Sequence, residues 1–326
     1  MTEIEHLDVE HPDVFHGLPV LTLPAPDATA APLPAADTVA WRLECEPDGP
    51  LFPQVWRQFL SAVDTSRVRA LLIGPWWEGD YTSIAPVVQL IASDADRFPE
   101  LRGLFLADVT SEECEVSWLR MCDITLVFEA FPLLEELVVR GGGGQFPDEE
   151  NLRLRPVRHR ALRTLRFESG GLPGHVVRAL GASELPALER LELWFGTQWY
   201  GGDATVEDIR PVLSGTVLPA LRHLGLQNSE IQDEFAAALA SAPVVAQLDS
   251  LALSMGTLGD PGALALLEGQ PLTHLSCLDL HHHYLTEPLM SRIRDVCAEA
   301  GVQVDLTEAE DWDPEDDESR YVVVSE

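Results

Sequence analysis

One short pattern, apolar-x-x-apolar-x-apolar, returns eight times along the chain. Its copies are Val68/Leu71/Ile73, Leu101/Leu104/Leu106, Leu134/Leu137/Val139, Leu162/Leu165/Phe167, Leu188/Leu191/Leu193, Leu221/Leu224/Leu226, Leu248/Leu251/Leu253 and Leu275/Leu278/Leu280. Successive copies begin 26 to 33 residues apart, close to the period of about 20–29 residues typical of strand-plus-helix repeats. The last two apolar positions of each copy are two apart, so they share one face of a short strand. Helical segments with legible ends lie between copies. Asp260 and Pro261 start one, Thr205-x-x-Asp208 forms a capping box for another that stops at Gly215, and a third runs from Thr286 to Gly301. A single unit of this size cannot bury its apolar side. The units must therefore stack, with parallel strands on one face and helices on the other.

The stretch Leu221-Arg222-His223-Leu224-Gly225-Leu226-Gln227-Asn228-Ser229-Glu230-Ile231 resembles the leucine-rich repeats of the ribonuclease-inhibitor-like type. The resemblance covers about residues 68–306. It implies an α/β solenoid, a right-handed β-α superhelix with strands on the concave face and helices on the convex face. The stretches Gly196-Thr197-Gln198-Trp199-Tyr200-Gly201-Gly202-Asp203 and Leu280-His281-His282-His283-Tyr284-Leu285 are similar to a bacterial subfamily of unassigned function. The family usually has asparagine at the ninth repeat position. Here that position holds Val109, Gly142, Gly170, Gly196, Ser229, Gly256 and His283, so the turns should differ. Val39/Trp41/Leu43 and Val302/Val304/Leu306 predict further strands at the two ends. The organisation expected is a cap and Pro/Ala-rich linker over residues 1–37, the solenoid over 38–306, and an acidic tail over 307–326.

Composition narrows the function. With 54 acidic against 21 basic residues the net charge is -33, a field that repels phosphate backbones and argues against a nucleic-acid partner. The basic residues are all arginine, so Schiff-base lysine chemistry and a phosphate-loop lysine are absent. Five cysteines without paired short spacing suit reduced thiols in a cytoplasm. An acidic start and the lack of a long apolar run predict neither signal peptide nor membrane span.

Departures from the repeat mark the candidate sites. Two insertions are expected to rise from the rim, one near residues 110–123 with Cys114, Trp118 and Cys122, the other near 197–204 with Trp199 and Tyr200. On the outward strand face, Arg140, Arg166, Arg190, Glu192 and Trp194 sit on adjacent strands and should form one patch, with His223, Asp279 and His281 farther along. These residues, with Trp199 and Tyr200, are the expected contacts of a protein partner. Six arginines, Arg153, Arg155, Arg158, Arg160, Arg163 and Arg166, follow a glycine run at 141–144 that reads as a flexible loop in a copy lacking a proper helix; a phosphate cradle is the alternative. These arginines either pair with neighbouring acids or hold an anion. The acids packed around Trp312 in the tail could fold back onto them. His281 and His283 could share a strand face with Asp279 near a metal, whereas His282 points away.

No nucleophile motif, HExxH or dinucleotide fingerprint is present. The expectation is a non-catalytic cytoplasmic scaffold, without cofactor, that presents its strand face and rim loops to a basic protein. The alternatives are a hydrolytic or metal-dependent enzyme using His223, Asp279, His281 and Cys277, and a structural subunit of a larger assembly.

Overall fold

The computed structural model describes residues 9–25, 32–77, 81–144, 146–312 and 319–326. Among these, twelve strands form one sheet in sequence order: β1 (Val14–Phe15), β2 (Leu18–Thr22), β3 (Ala40–Leu43), β4 (Ala70–Ile73), β5 (Gly103–Leu106), β6 (Glu136–Arg140), β7 (Thr164–Glu168), β8 (Arg190–Gly196), β9 (His223–Ser229), β10 (Ser250–Ala252), β11 (Cys277–Asp279) and β12 (Gln303–Asp305). Only β1 and β2 pair antiparallel, as a hairpin; every later neighbour is parallel. The eight sequence copies are β4 to β11, and the two flanking patterns are β3 and β12. This is the leucine-rich-repeat solenoid that the periodicity demands.

Helices fill the returns: α1 (Phe52–Ala62), α2 (Ala85–Ser93), α3 (Thr125–Ala130), α4 (Gly174–Gly181), α5 (Val206–Leu213), α6 (Gln232–Leu239), α7 (Asp260–Glu268) and α8 (Glu287–Ala300). Helix α1 buries Phe52, Val55, Trp56 and Phe59, one stripe at helical spacing. The Thr205/Asp208 capping box opens α5, and Thr286 and left-handed Gly301 bound α8. At α7 the cap is Gly259, one residue before the expected Asp260. The Asp260 carboxylate instead accepts hydrogen bonds from the Thr286 backbone N–H and hydroxyl, tying α7 to the start of α8. Between β6 and β7 the chain makes a 3-10 turn at Asp148–Glu150 and isolated bridges at Arg153 and Arg158, the helix-poor copy foreseen from the sequence.

Register stacks like on like. Leu165, Leu191, Leu224, Leu251 and Leu278 pair across β7 to β11. They belong to one continuous core that runs between sheet and helices from Trp41 to Val302. The turns after the strands pack backbone against backbone. Gly196 has φ +65, and a Cβ there would overlap the Gly170 carbonyl. Glycine at the ninth position thus takes the place of the usual asparagine by letting turns touch directly. No described helix is long and apolar enough to cross a membrane.

Leu224→Ala should cost about 2–5 kcal/mol through the cavity it leaves in a close-packed core. Gly196→Ala should destabilise at least as much, because the clash is with backbone. Urea unfolding midpoints followed by circular dichroism check both.

Candidate functional site

The strand face opposite the helices is already layered by the chain's own ends. Phe15, Leu18 and Val20 of the β1–β2 hairpin pack on Ala40, Ala70, Leu72, Phe105 and Val138, a second apolar cluster on the far side of the sheet. Small residues make room for it: a Cβ on Gly103 would press against His16 and Phe15. Polar contacts hold the same segment. His16 Nδ1 lies 2.9 Å from Glu136 Oε2, and His11 Nδ1 lies 3.0 Å from Asp108 Oδ1. Arg42 donates to His11 Nε2 and pairs with Asp108, which is fully buried.

This covering alters the patch expected from strand alternation. Arg140 is 2% exposed and Trp194 0%, so neither is presented to a partner. Parallel register puts Arg140 beside Glu168 and Arg166 beside Glu192. Arg140 Nε donates to Glu168 Oε2 at 2.7 Å, and Arg166 Nε pairs with Glu192 Oε2 at 2.5 Å. Arg190 and His223 also reach Glu192, making one ionic file across β6 to β9. Burial pushes the Glu192 carboxyl up, but Arg166, the His223 bond and Arg190 outweigh it and hold the group well below the usual carboxylate range. Trp194 leaves this file for an apolar cluster with Val9, Val116, Met255 and Val324. The alternation rule put these side chains on the correct face but could not show that residues 9–22 and 319–326 lie over it.

Asp279 and His281 are buried as well. Asp279 accepts from Ser254 Oγ at 3.0 Å and from the His281 backbone N–H at 3.1 Å, with His281 Nδ1 at 2.8 Å. His283 does not join them. The strand ends at Asp279 and His282 turns left-handed at φ 51, so alternation stops there. The His283 ring faces the Leu306 carbonyl and the Leu285 N–H instead, and burial lowers its pKa. His223 contacts Ser250 and Glu192. Among the described residues no three His, Cys, Asp or Glu side chains are arranged to hold a metal. Burial pushes the Cys277 thiol up to about 11, the wrong direction for a nucleophile at neutral pH.

Among the described residues four of the six clustered arginines are ion-paired, including Arg166 with Glu192. Arg155 meets Asp123, Arg158 meets Glu184, and Arg163 meets Glu189. The 141–144 glycines form a packed turn instead of a cradle or a loose loop. Gly141 and Gly143 donate their N–H groups to the Glu168 and Gly171 carbonyls, and a Cβ on Gly142 would overlap Ser169. Residues 319–326 fold back over Gly170, Asn228, Met255 and His282, at the ends of β7 to β11. The acids at 313 and 315–318 that were expected to steer them lie outside the described residues.

What remains open is the rim. The two insertions and the glycine turn enclose a cleft of ≈ 370 Å³ lined by Tyr81, Ser117, Trp118, Arg120, Phe146 and Tyr200. Trp118 is 49% exposed and Trp199, next to Tyr200 in the chain, 77%. The Arg120 guanidinium lies 5.2 Å from the Phe146 ring centre and 3.5 Å from Glu150. The Tyr200 hydroxyl donates to Glu326 Oε1 at 2.6 Å. That bond, then burial and the charges of Glu326 and Glu115, raise its pKa. Tyr81 reaches the Glu113 carbonyl. The carboxylates of Glu150 and Glu326, with the charge of Glu115 nearby, thus border an aromatic cleft that contains one arginine. Trp118, Trp199 and Tyr200 were foreseen from the long repeat steps. Arg120 lies in the same 110–123 insertion as Trp118 but was not singled out, and Tyr81 and Phe146 were missed because they come from other turns.

Comparison with known proteins gives the fold and no activity. No family model matches the sequence, and no curated protein is similar to it. Among solved structures, the chain is similar to a structural-genomics protein of Bacteroides fragilis, with a TM-score of 0.74 and 25% identity over 83% of this chain and 73% of that one. A TLR13–ssRNA13 complex aligns with a TM-score of 0.42 and 16% identity over 85% of this chain and 34% of that one.

Glu192→Gln should destabilise the protein at pH 7 by about 2–4 kcal/mol, below the full value for a broken buried pair because Arg190 reaches solvent. The folded carboxyl ionises below its unfolded value of about 4.3, so its contribution is complete above that pH and fades as pH falls further. The gap between wild type and variant in chemical denaturation should therefore be constant from neutral pH to about 5 and narrow below about 4. Burial raises the Cys114, Cys122 and Cys277 thiols to about 11, 12 and 11, and all five cysteines are buried. A thiol reagent at mildly alkaline pH should label the native protein slowly and the unfolded protein at all five.

Proposed function

We propose that this chain is a non-catalytic binding scaffold that holds a basic protein at the rim cleft, with the strand face serving as internal support. The carrying observation is the cleft itself. Exposed aromatic rings from separate turns converge there beside the carboxylates of Glu150 and Glu326. Such a site suits an arginine or lysine side chain, whose cation is attracted both by the ring faces and by the acids. The -33 charge of the whole chain would speed the encounter with a positive partner. Five buried cysteines suit a reducing cytoplasm. The likeness to a bacterial structural-genomics protein fits membership of a bacterial group of such solenoids.

Affinity capture from the source cells, with bound proteins identified by mass spectrometry, tests the reading. The wild type should retain a basic protein, and Trp118→Ala or Tyr200→Ala should reduce retention at least about ten-fold, or roughly 1.4 kcal/mol. Raising the salt to about 0.5 M should also release it, since exposed charges are then screened. Equal capture by wild type and Trp118→Ala, or retention indifferent to salt, would exclude the rim cleft as the docking site.

A further inference from the structure

We propose that the groove over the ends of β7 to β11 is a binding site for extended peptides, filled here by the chain's own residues 319–326. It would accept from a partner a segment with β-branched aliphatic residues two apart, followed by a small hydroxyl residue and an acid. This goes beyond the cleft reading and rests chiefly on contacts at Asn228, Met255, His282 and Tyr284, which do not line the cleft.

The segment adds no strand to the sheet, but its side chains alternate in burial. Val322 and Val324 are buried, while Tyr321 and Val323 between and beside them are exposed, a period of two that leaves one side of the peptide gripped and the other open. Val324 seats among Val9, Val116, Trp194 and Met255. Most polar contacts go to the segment's main chain. The Asn228 amide clamps one residue from both sides, its Nδ2 donating to the Val324 carbonyl at 2.5 Å and its Oδ1 accepting from the Val324 N–H at 2.9 Å. The Val323 N–H donates to the Met255 carbonyl at 2.9 Å. Tyr284 accepts from the Tyr321 N–H at 2.9 Å and donates to the Tyr321 carbonyl at 3.1 Å, with His282 Nε2 at 3.2 Å from the same carbonyl. Ser117 donates to the Ser325 carbonyl at 2.6 Å, and Tyr200 to the Glu326 carboxylate.

The receptor side is built for this. Asn228, Met255 and His282 occupy the same position in three consecutive repeats, just past the last apolar strand residue, and all three take left-handed backbone at φ 54, 66 and 51. The same repeat position is left-handed at Gly141 too, with φ 113, so the turn belongs to the repeat, and in these three copies it carries a contact to the segment. Gly170 lies under Ser325 so closely that a Cβ would overlap its carbonyl. Recognition through main-chain bonds plus one apolar pocket for Val324 and a second buried valine specifies a pattern more than a sequence, as in other sites that bind peptides through their main chain.

A chain lacking residues 319–326 should bind a fluorescein-labelled peptide of those residues saturably, read by fluorescence anisotropy. The full chain should bind it at least about ten-fold more weakly, because the tethered segment competes at an effective concentration of millimolar order. Asn228→Ala in the shortened chain, or Val324→Asp in the peptide, should weaken binding at least about ten-fold, or roughly 1.4 kcal/mol. Val323→Thr in the peptide should change it less than about three-fold, since that side chain points outward. Equal binding of the Val324→Asp peptide, no saturable binding, or equal affinity for full and shortened chains would overturn the proposal. If circular dichroism shows the shortened chain unfolded, the full chain carrying Val322→Asp and Val324→Asp takes its place. If that also unfolds, the wild type still decides. Excess peptide should expose the Arg320–Tyr321 bond and speed its cleavage by trypsin several-fold, and an unchanged rate would overturn the proposal. Failure of the peptide would leave the cleft reading intact, because capture through Trp118 is measured on the unaltered chain.

Discussion

Each repeat supplies half of a buried interior and relies on its neighbour for the other half. Leu191 is covered because Leu165 and Leu224 stand beside it in register, and the same holds along the sheet from β4 to β11. Parallel pairing in strict order follows from this dependence: a strand inserted out of order would bring a foreign turn against glycines such as Gly170 and Gly196, which touch each other directly. The arrangement leaves every strand with a second face that the helices cannot reach.

The second face is where this solenoid departs from a simple presenting surface. Residues 9–22 bury an apolar cluster against β3 to β6, and residues 319–326 close over Trp194 and the ends of β7 to β11. Under that cover, charges on adjacent strands satisfy each other. In this ionic file Arg140 with Glu168 and Arg166 with Glu192 are paired by register, and Arg190 joins Glu192 from two residues away on the same strand. Removing one partner of such a file costs more than forming the file contributes, because the remaining charge stays where water reaches it poorly. The file therefore fixes strand alignment and the seat of the two chain ends more than it offers a contact to another molecule.

Surface chemistry is displaced to the rim. The insertion at 110–123 brings Ser117 and Trp118, the next copy contributes Phe146 in place of a helix, and the Trp199–Tyr200 turn completes the cleft. Ser117 and Tyr200 face two ways, lining the cleft and holding residues 325 and 326. The cleft and the peptide groove thus share two side chains, and occupancy of one is physically coupled to the shape of the other.

The sequence alone determined the stack. A period near 27 residues with two apolar positions two apart admits one economical packing, and capping residues such as Thr205, Asp208 and Thr286 fall where the helices begin. It also located the rim loops, because insertions lengthen the repeat step, and it placed Arg166, Arg190, Glu192 and His223 on one face. It could not tell whether that face was covered. Alternation along a strand states which side a residue takes and nothing about what lies above it. The covering contacts join residues about a hundred or more positions apart, such as Phe15 with Phe105 and Val324 with Trp194. Only the tertiary structure decides them, since a contact that distant depends on where the whole stack carries the two ends of the chain.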